Sequence, residues 1–115
     1  MRYKGNKLVL DSGCEVLFDH GLKDVLEFGE IFVVLLSIPV GTTYNRNVFG
    51  ISKADGRVLW QIQPTASIVM PTNDNPYVGI GRKEDGAVSA TTFDGITVYL
   101  DPISGKEVRK WSWTK

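Results

Sequence analysis

One cysteine, one histidine and no net charge leave this chain with little of what metalloenzymes, disulfide scaffolds and nucleic-acid binders are built from. Cys14 stands alone, so no internal disulfide can form, which suits a reducing, cytoplasmic setting. Thirteen basic and thirteen acidic side chains balance, and no global field draws the chain to nucleic acid or to a membrane surface. The longest apolar run, IFVVLLSIPV (31–40), falls well short of the ~20 residues of a membrane helix. It reads as a central strand buried on both faces. The opening MRYKGNKLVLDSGCEV has no apolar signal-peptide core.

The charge balance hides a local asymmetry. Between positions 11 and 30, Asp11, Glu15, Asp19, Asp24, Glu27 and Glu30 face Lys23 alone. The C-terminal end, with Lys106, Arg109, Lys110 and Lys115, is basic. A solvated acidic face is one reading, and a docking surface for a basic partner is the other.

Helical periodicity is scarce. The best case is DHGLKDVLEF (19–28), where Leu22, Val25 and Leu26 follow i, i+3, i+4 spacing behind Asp19. Elsewhere short β-branched and aromatic runs alternate with Gly, Asp, Asn and Pro. YVGIGR, AVSATTF, ITVYL and KEVRKWSW (77–113) are separated by three glycine-closed turns, which permit only antiparallel neighbours. DVLEF, IFVVLLS, NVFGIS and RVLWQI (24–62) divide in the same way. The expected fold is all-β, a single domain over 1–115. Two four-stranded antiparallel meanders, 24–62 and 77–113, stack as a sandwich, and a hairpin over 7–18 covers one open edge. The proline-rich stretch 63–76 links the meanders, with NDN (73–75) read as a turn.

Setting Gly56 on Gly105 aligns Phe49 with Val98, Ile51 with Leu100 and Leu59 with Val108. KLVLDSGCEVLF forms a partial third copy, and a four-stranded repeat of 40 to 50 residues marks a propeller blade. VFGISKADGRVLWQI and VYLDPISGKEVRKW resemble the third and fourth strands of quinoprotein-type (PQQ-repeat) propeller blades. Gly56 and Trp60 match the turn glycine and docking tryptophan of that pattern. Arg109 stands where the second copy would carry the tryptophan. The resemblance implies blade-like sheets. Two and a half blades build no axial cofactor site, so no cofactor or catalytic residue is carried over.

The side chains assemble no reaction centre in sequence. Cys14 and His20 would share a strand face but stand ~20 Å apart, too far to hold one metal. His20 reads as a loop histidine and Cys14 as a small, partly buried filler. Nothing near Ser12, Ser37 or Ser89 resembles a nucleophile elbow, and Gly79-Ile80-Gly81 leads into a hairpin instead of a phosphate-binding helix. Trp111 and Trp113 share a strand face with Arg109. They either cap the sandwich or form an aromatic–cation interaction patch. The function expected is a non-catalytic protein-binding module, most concretely a small immunity-type inhibitor that neutralises a basic bacterial toxin through Asp11, Glu15, Asp19, Asp24, Glu27 and Glu30. The alternative interface is Arg109, Trp111 and Trp113. The alternative functions are a self-associating assembly protein, as a homodimer, and, last, an enzyme.

Overall fold

A computed structural model describes residues 1–65 and 74–109, which form eleven strands and no helix. The first sheet holds β1 (Arg2–Lys4), β2 (Lys7–Val9) and β3 (Glu15–Leu17). The second holds β4 (Leu22–Phe28), β5 (Ile31–Leu36), β6 (Val48–Ser52) and β7 (Val58–Gln61). The third holds β8 (Tyr77–Arg82), β9 (Val88–Thr92), β10 (Thr97–Leu100) and β11 (Glu107–Arg109). Strand order in every sheet follows the sequence, and all pairs are antiparallel, so the two expected four-stranded meanders are present.

The two meanders pack face to face as expected, and the N-terminal segment adds a third layer. All six residues of β5 are buried, because both faces of the second sheet are covered. Ile31, Val33 and Leu35 join Val48, Trp60 and Ile62 against Tyr77, Val88, Ala90 and Leu100 of the third sheet and its entry. Phe32, Val34 and Leu36, with Phe49 and Ile51, pack on Leu8, Leu10 and Phe18. The N-terminal segment therefore lies over a face of the second sheet and not along an edge, and it gains β1 as a third strand. Physical necessity explains the difference. Left uncovered, those five large side chains would each forfeit about 1.5–3 kcal/mol of burial.

The helical spacing in 19–28 has another origin. β4 carries a bulge between Leu22 and Asp24, and the extra residue brings Leu22 and Val25 to one face of a strand. Leu26 points to the other core.

The internal repeat is geometric as well as sequential. β7 and β11 carry the same irregularity, with Gly50 opposite Trp60 and Ile51 opposite Val58, then Tyr99 opposite Arg109 and Leu100 opposite Glu107. Leu59 and Val108 are the extra residues. The preceding turns close alike, with the Gly56 amide donating to the Ser52 carbonyl (2.9 Å) and the Gly105 amide to the Asp101 carbonyl (2.7 Å). Both glycines sit in the left-handed region, at φ 75° and 73°.

Trp60 docks the second sheet on the third. Its indole N–H donates to the Pro102 carbonyl at 2.7 Å. The ring lies so close to Gly105 that a Cβ there would stand 2.4 Å from Cδ2. Val16 does the same for the first and second sheets, where a Cβ on Gly56 would stand 2.9 Å from Val16 Cγ2.

Candidate protein-binding surfaces

The acidic residues of positions 11–30 are distributed over two sheets and the chain between them. Asp11, in the β2–β3 turn, accepts from the Met1 ammonium, which holds its carboxyl below the usual range. Glu15 on β3 lies 3.6 Å from Lys7, and Glu27 on β4 pairs with Lys53. Asp24 is half-buried and accepts from the Val25 amide at 2.9 Å. Asp19 and Glu30 are exposed, in the β3–β4 loop and the β4–β5 turn. Three of the six thus carry a cation from their own chain, which dilutes the stretch as an anionic patch.

Arg109 closes β11, opposite Tyr99. Trp111 and Trp113 lie outside the described residues. His20 sits in a loop, its ring edge-on to Tyr44 with centroids 5.1 Å apart. Cys14 is exposed in the β2–β3 turn, which corrects its reading as a partly buried filler. The turn has no layer above it to cover the thiol. Among the described residues, no group of three His, Cys, Asp or Glu side chains is placed to hold a metal ion.

A better-built surface stands at the end of the stack where β5 passes to β6. The fold needs only residues 93–96 to join β9 to β10, yet residues 37–47 join β5 to β6. This longer loop is fastened along its length. The Thr42 amide donates to the Pro39 carbonyl (3.1 Å), closing a tight turn with Gly41 at φ 89°. The Thr43 hydroxyl donates to Asp74, and Asn45 Oδ1 accepts from the Asn75 amide (2.9 Å). Arg46 Nε donates to the Ile62 carbonyl (3.0 Å), while Gln61 Nε2 donates to the Arg46 carbonyl (2.8 Å). Asn47 is fully buried; its amide donates to the Leu36 and Tyr77 carbonyls and accepts from the Tyr77 N–H.

Asn75 extends this network. Buried to 1 % exposure, it donates to the Thr65 carbonyl and accepts from the Asp94 amide (3.2 Å). Three connecting segments from two sheets are thereby tied into one platform. It presents Val40, wholly exposed at the turn tip, and Phe93, 59 % exposed. Sequence reading passes over both, placing Asn47 at the head of the run NVFGIS and Asn75 in the NDN turn. The available signal is Asn45, Asn47 and Asn75 beside Pro76-Tyr77, since an asparagine amide imitates a peptide group and can pair with backbone in a core.

The outer strand edges form a second surface. A groove of about 410 Å³ runs between β7 and β11, lined by Trp60, Ile62, Tyr77, Leu100, Lys106 and Glu107. The Tyr77 phenol at its base donates to the Gln63 carbonyl and shares a hydrogen bond with the Thr65 hydroxyl, and burial raises its pKa. A smaller groove of about 230 Å³ separates β3 from β7. Leu17, Val58, Leu59 and Val108 are exposed on these outer strands.

The family model of a domain of unknown function, DUF7957, matches residues 1–111, and the chain belongs to that family. No curated protein and no solved structure matches it.

Proposed function

We propose that this DUF7957 member is a non-catalytic protein-binding module acting in the cytoplasm, in its narrower form an inhibitor that neutralises a toxin by covering it. The observation that supports the reading is the loop over residues 37–47. It exceeds what the chain connection requires, it is fixed from both sides by hydrogen bonds, and it holds an apolar residue out in water. Binding residues concentrate on loops carried by rigid scaffolds, and a loop ordered beforehand loses little entropy on association. The three-layer stack of antiparallel sheets is the scaffold.

Burying Val40 in a partner contributes about 1.5–2 kcal/mol, so Val40→Asp weakens binding roughly tenfold or more at unchanged stability. Affinity of the purified variant for the partner, measured by calorimetry, tests this. The inhibitor form adds an ionic component through the acidic stretch. Reversal of Asp19, Asp24 and Glu27 to lysine then slows association and removes its salt dependence, whereas unchanged kinetics would discard the acidic contribution.

A further inference from the structure

The groove between β3 and β7 holds about 230 Å³, less than the roughly 300–1,000 Å³ of small-molecule pockets and suited to a single long side chain. Strand alternation on β3 turns Val16 to the core and leaves Leu17 facing out. Leu17 and, across the groove on β7, Val58 are 70 % and 49 % exposed, and they form its lips. The buried rings of Phe18 and Phe49, with centroids 5.3 Å apart, line its bottom. Two aliphatic lips standing in water gain free energy when an apolar stem covers them.

The loops that follow β3 and β5 bring polar groups to the same groove. Asp19 and the Tyr44 phenol both line it. Among the described residues, Asp19 has no ion-pair partner. The nearby cations are engaged elsewhere. Arg46 donates to the Ile62 and Gln61 carbonyls at 3.0 and 3.4 Å, and Lys7, level with Leu17 across the sheet, lies 3.6 Å from Glu15. Burial first, and the Asp19 carboxylate second, push the Tyr44 phenol above its usual range, against a smaller opposing effect of Arg46. The charges around the phenol therefore sum to a field that favours a cation.

We propose that this groove takes an arginine side chain of the protein partner, with its methylene stem between Leu17 and Val58 and its guanidinium on Asp19 and the Tyr44 oxygen. Apolar lips leading to an anionic end match the two halves of that side chain. Guanidinium suits the place better than an ammonium, because its planar fork serves two acceptors at once and is more weakly hydrated. The assignment rests on the binding-module reading for the partner being a protein. It narrows the ionic component of that reading from the stretch 11–30 to one carboxylate.

N-acetyl-L-arginine amide, titrated into the isotope-labelled full chain at fixed ionic strength, tests the groove through backbone amide shifts. Saturable shifts are expected at Leu17, Asp19, Tyr44, Val58 and Gln61, with a Kd on the order of 1–10 mM. The uncharged citrulline analogue binds roughly tenfold more weakly, and so does the arginine probe to Asp19→Asn. Asp19 is exposed in a loop, so the variant folds, and an unaltered spectrum away from the groove checks it. Val40 does not line the groove, so Val40→Asp leaves this titration unchanged, and failure of the loop-end reading is distinguishable from failure of the groove. Equal binding of the two probes would overturn the proposal. So would unchanged affinity in Asp19→Asn, or shifts that do not saturate and scatter over the surface.

Discussion

Replacing Asn47 by leucine keeps the side-chain volume and removes the amide that fastens the second sheet to the third. In the native chain that amide satisfies three buried backbone groups, the Leu36 carbonyl and the N–H and carbonyl of Tyr77, at 2.8 to 2.9 Å. Leucine leaves all three without that partner in a site where Asn47 has no exposure. An unsatisfied buried polar group costs about 1–3 kcal/mol, and local relaxation recovers part of the total, so the expected loss is about 3–6 kcal/mol. That is a large share of the roughly 5–15 kcal/mol that holds a domain folded. Urea unfolding followed by tryptophan fluorescence reads it as a midpoint lowered by roughly 2–4 M, for an m-value of about 1.5 kcal/mol/M. Asn47→Asp separates the contributions. It keeps the acceptor for the Tyr77 N–H but sets a charged oxygen against two carbonyls, so its folded-state pKa is raised. Its stability therefore improves as pH falls into the carboxylate range, opposite in sign to an ion-paired acid. A loss under about 1 kcal/mol for Asn47→Leu would refute the claim that this amide joins the sheets.

Gly105→Ala adds a Cβ 2.4 Å from the Trp60 ring at a φ of 73°, with an expected cost of about 3 kcal/mol or more. Gly86→Ala, at φ 88° but with open space around it, bears only the conformational cost of about 1 kcal/mol, and calorimetric melting distinguishes the two. Trp60→Phe leaves the Pro102 carbonyl without its donor and opens a void, for a loss of about 2–3 kcal/mol by urea unfolding. The Tyr77 phenol, its pKa raised above 10.0 by burial, favours the folded state fully below pH 10.0 and progressively less as pH climbs through the folded value. Unfolding midpoints should fall on the alkaline side, and Tyr77→Phe should flatten that fall while lowering the midpoint at neutral pH.

The meanders were legible because their cause is local. Period-two apolar runs divided by turn glycines admit one antiparallel reading, and β5 announced its two buried faces as an unbroken apolar run. The third layer was harder to see. Residues 7–18 show a hairpin, but whether a hairpin covers an edge or a face depends on what the neighbouring sheet leaves uncovered, here Phe32, Val34 and Leu36. The helical spacing around Leu22 misleads because a bulge adds one residue to a strand, and periodicity cannot tell that from a turn of helix. At the candidate site the acidic stretch was visible as composition, but its partners Lys7 and Lys53 and the Met1 ammonium come from elsewhere in the chain. The asparagine platform was invisible for the same reason. Asn47 and Asn75 act on backbone groups 30 and 19 residues away, at Tyr77 and Asp94.

The loop-end reading is tested most directly by site-specific photo-crosslinking inside the cell of origin. A benzophenone amino acid is placed at position 40, and in separate variants at position 15 on the first sheet and position 59 on the outer edge. The expected result is one heterologous adduct formed in high yield from position 40, and lost when Asn47→Leu unfastens the loop. Adducts only from position 15 or 59, with position 40 silent, would contradict the assignment of the 37–47 loop as the binding element.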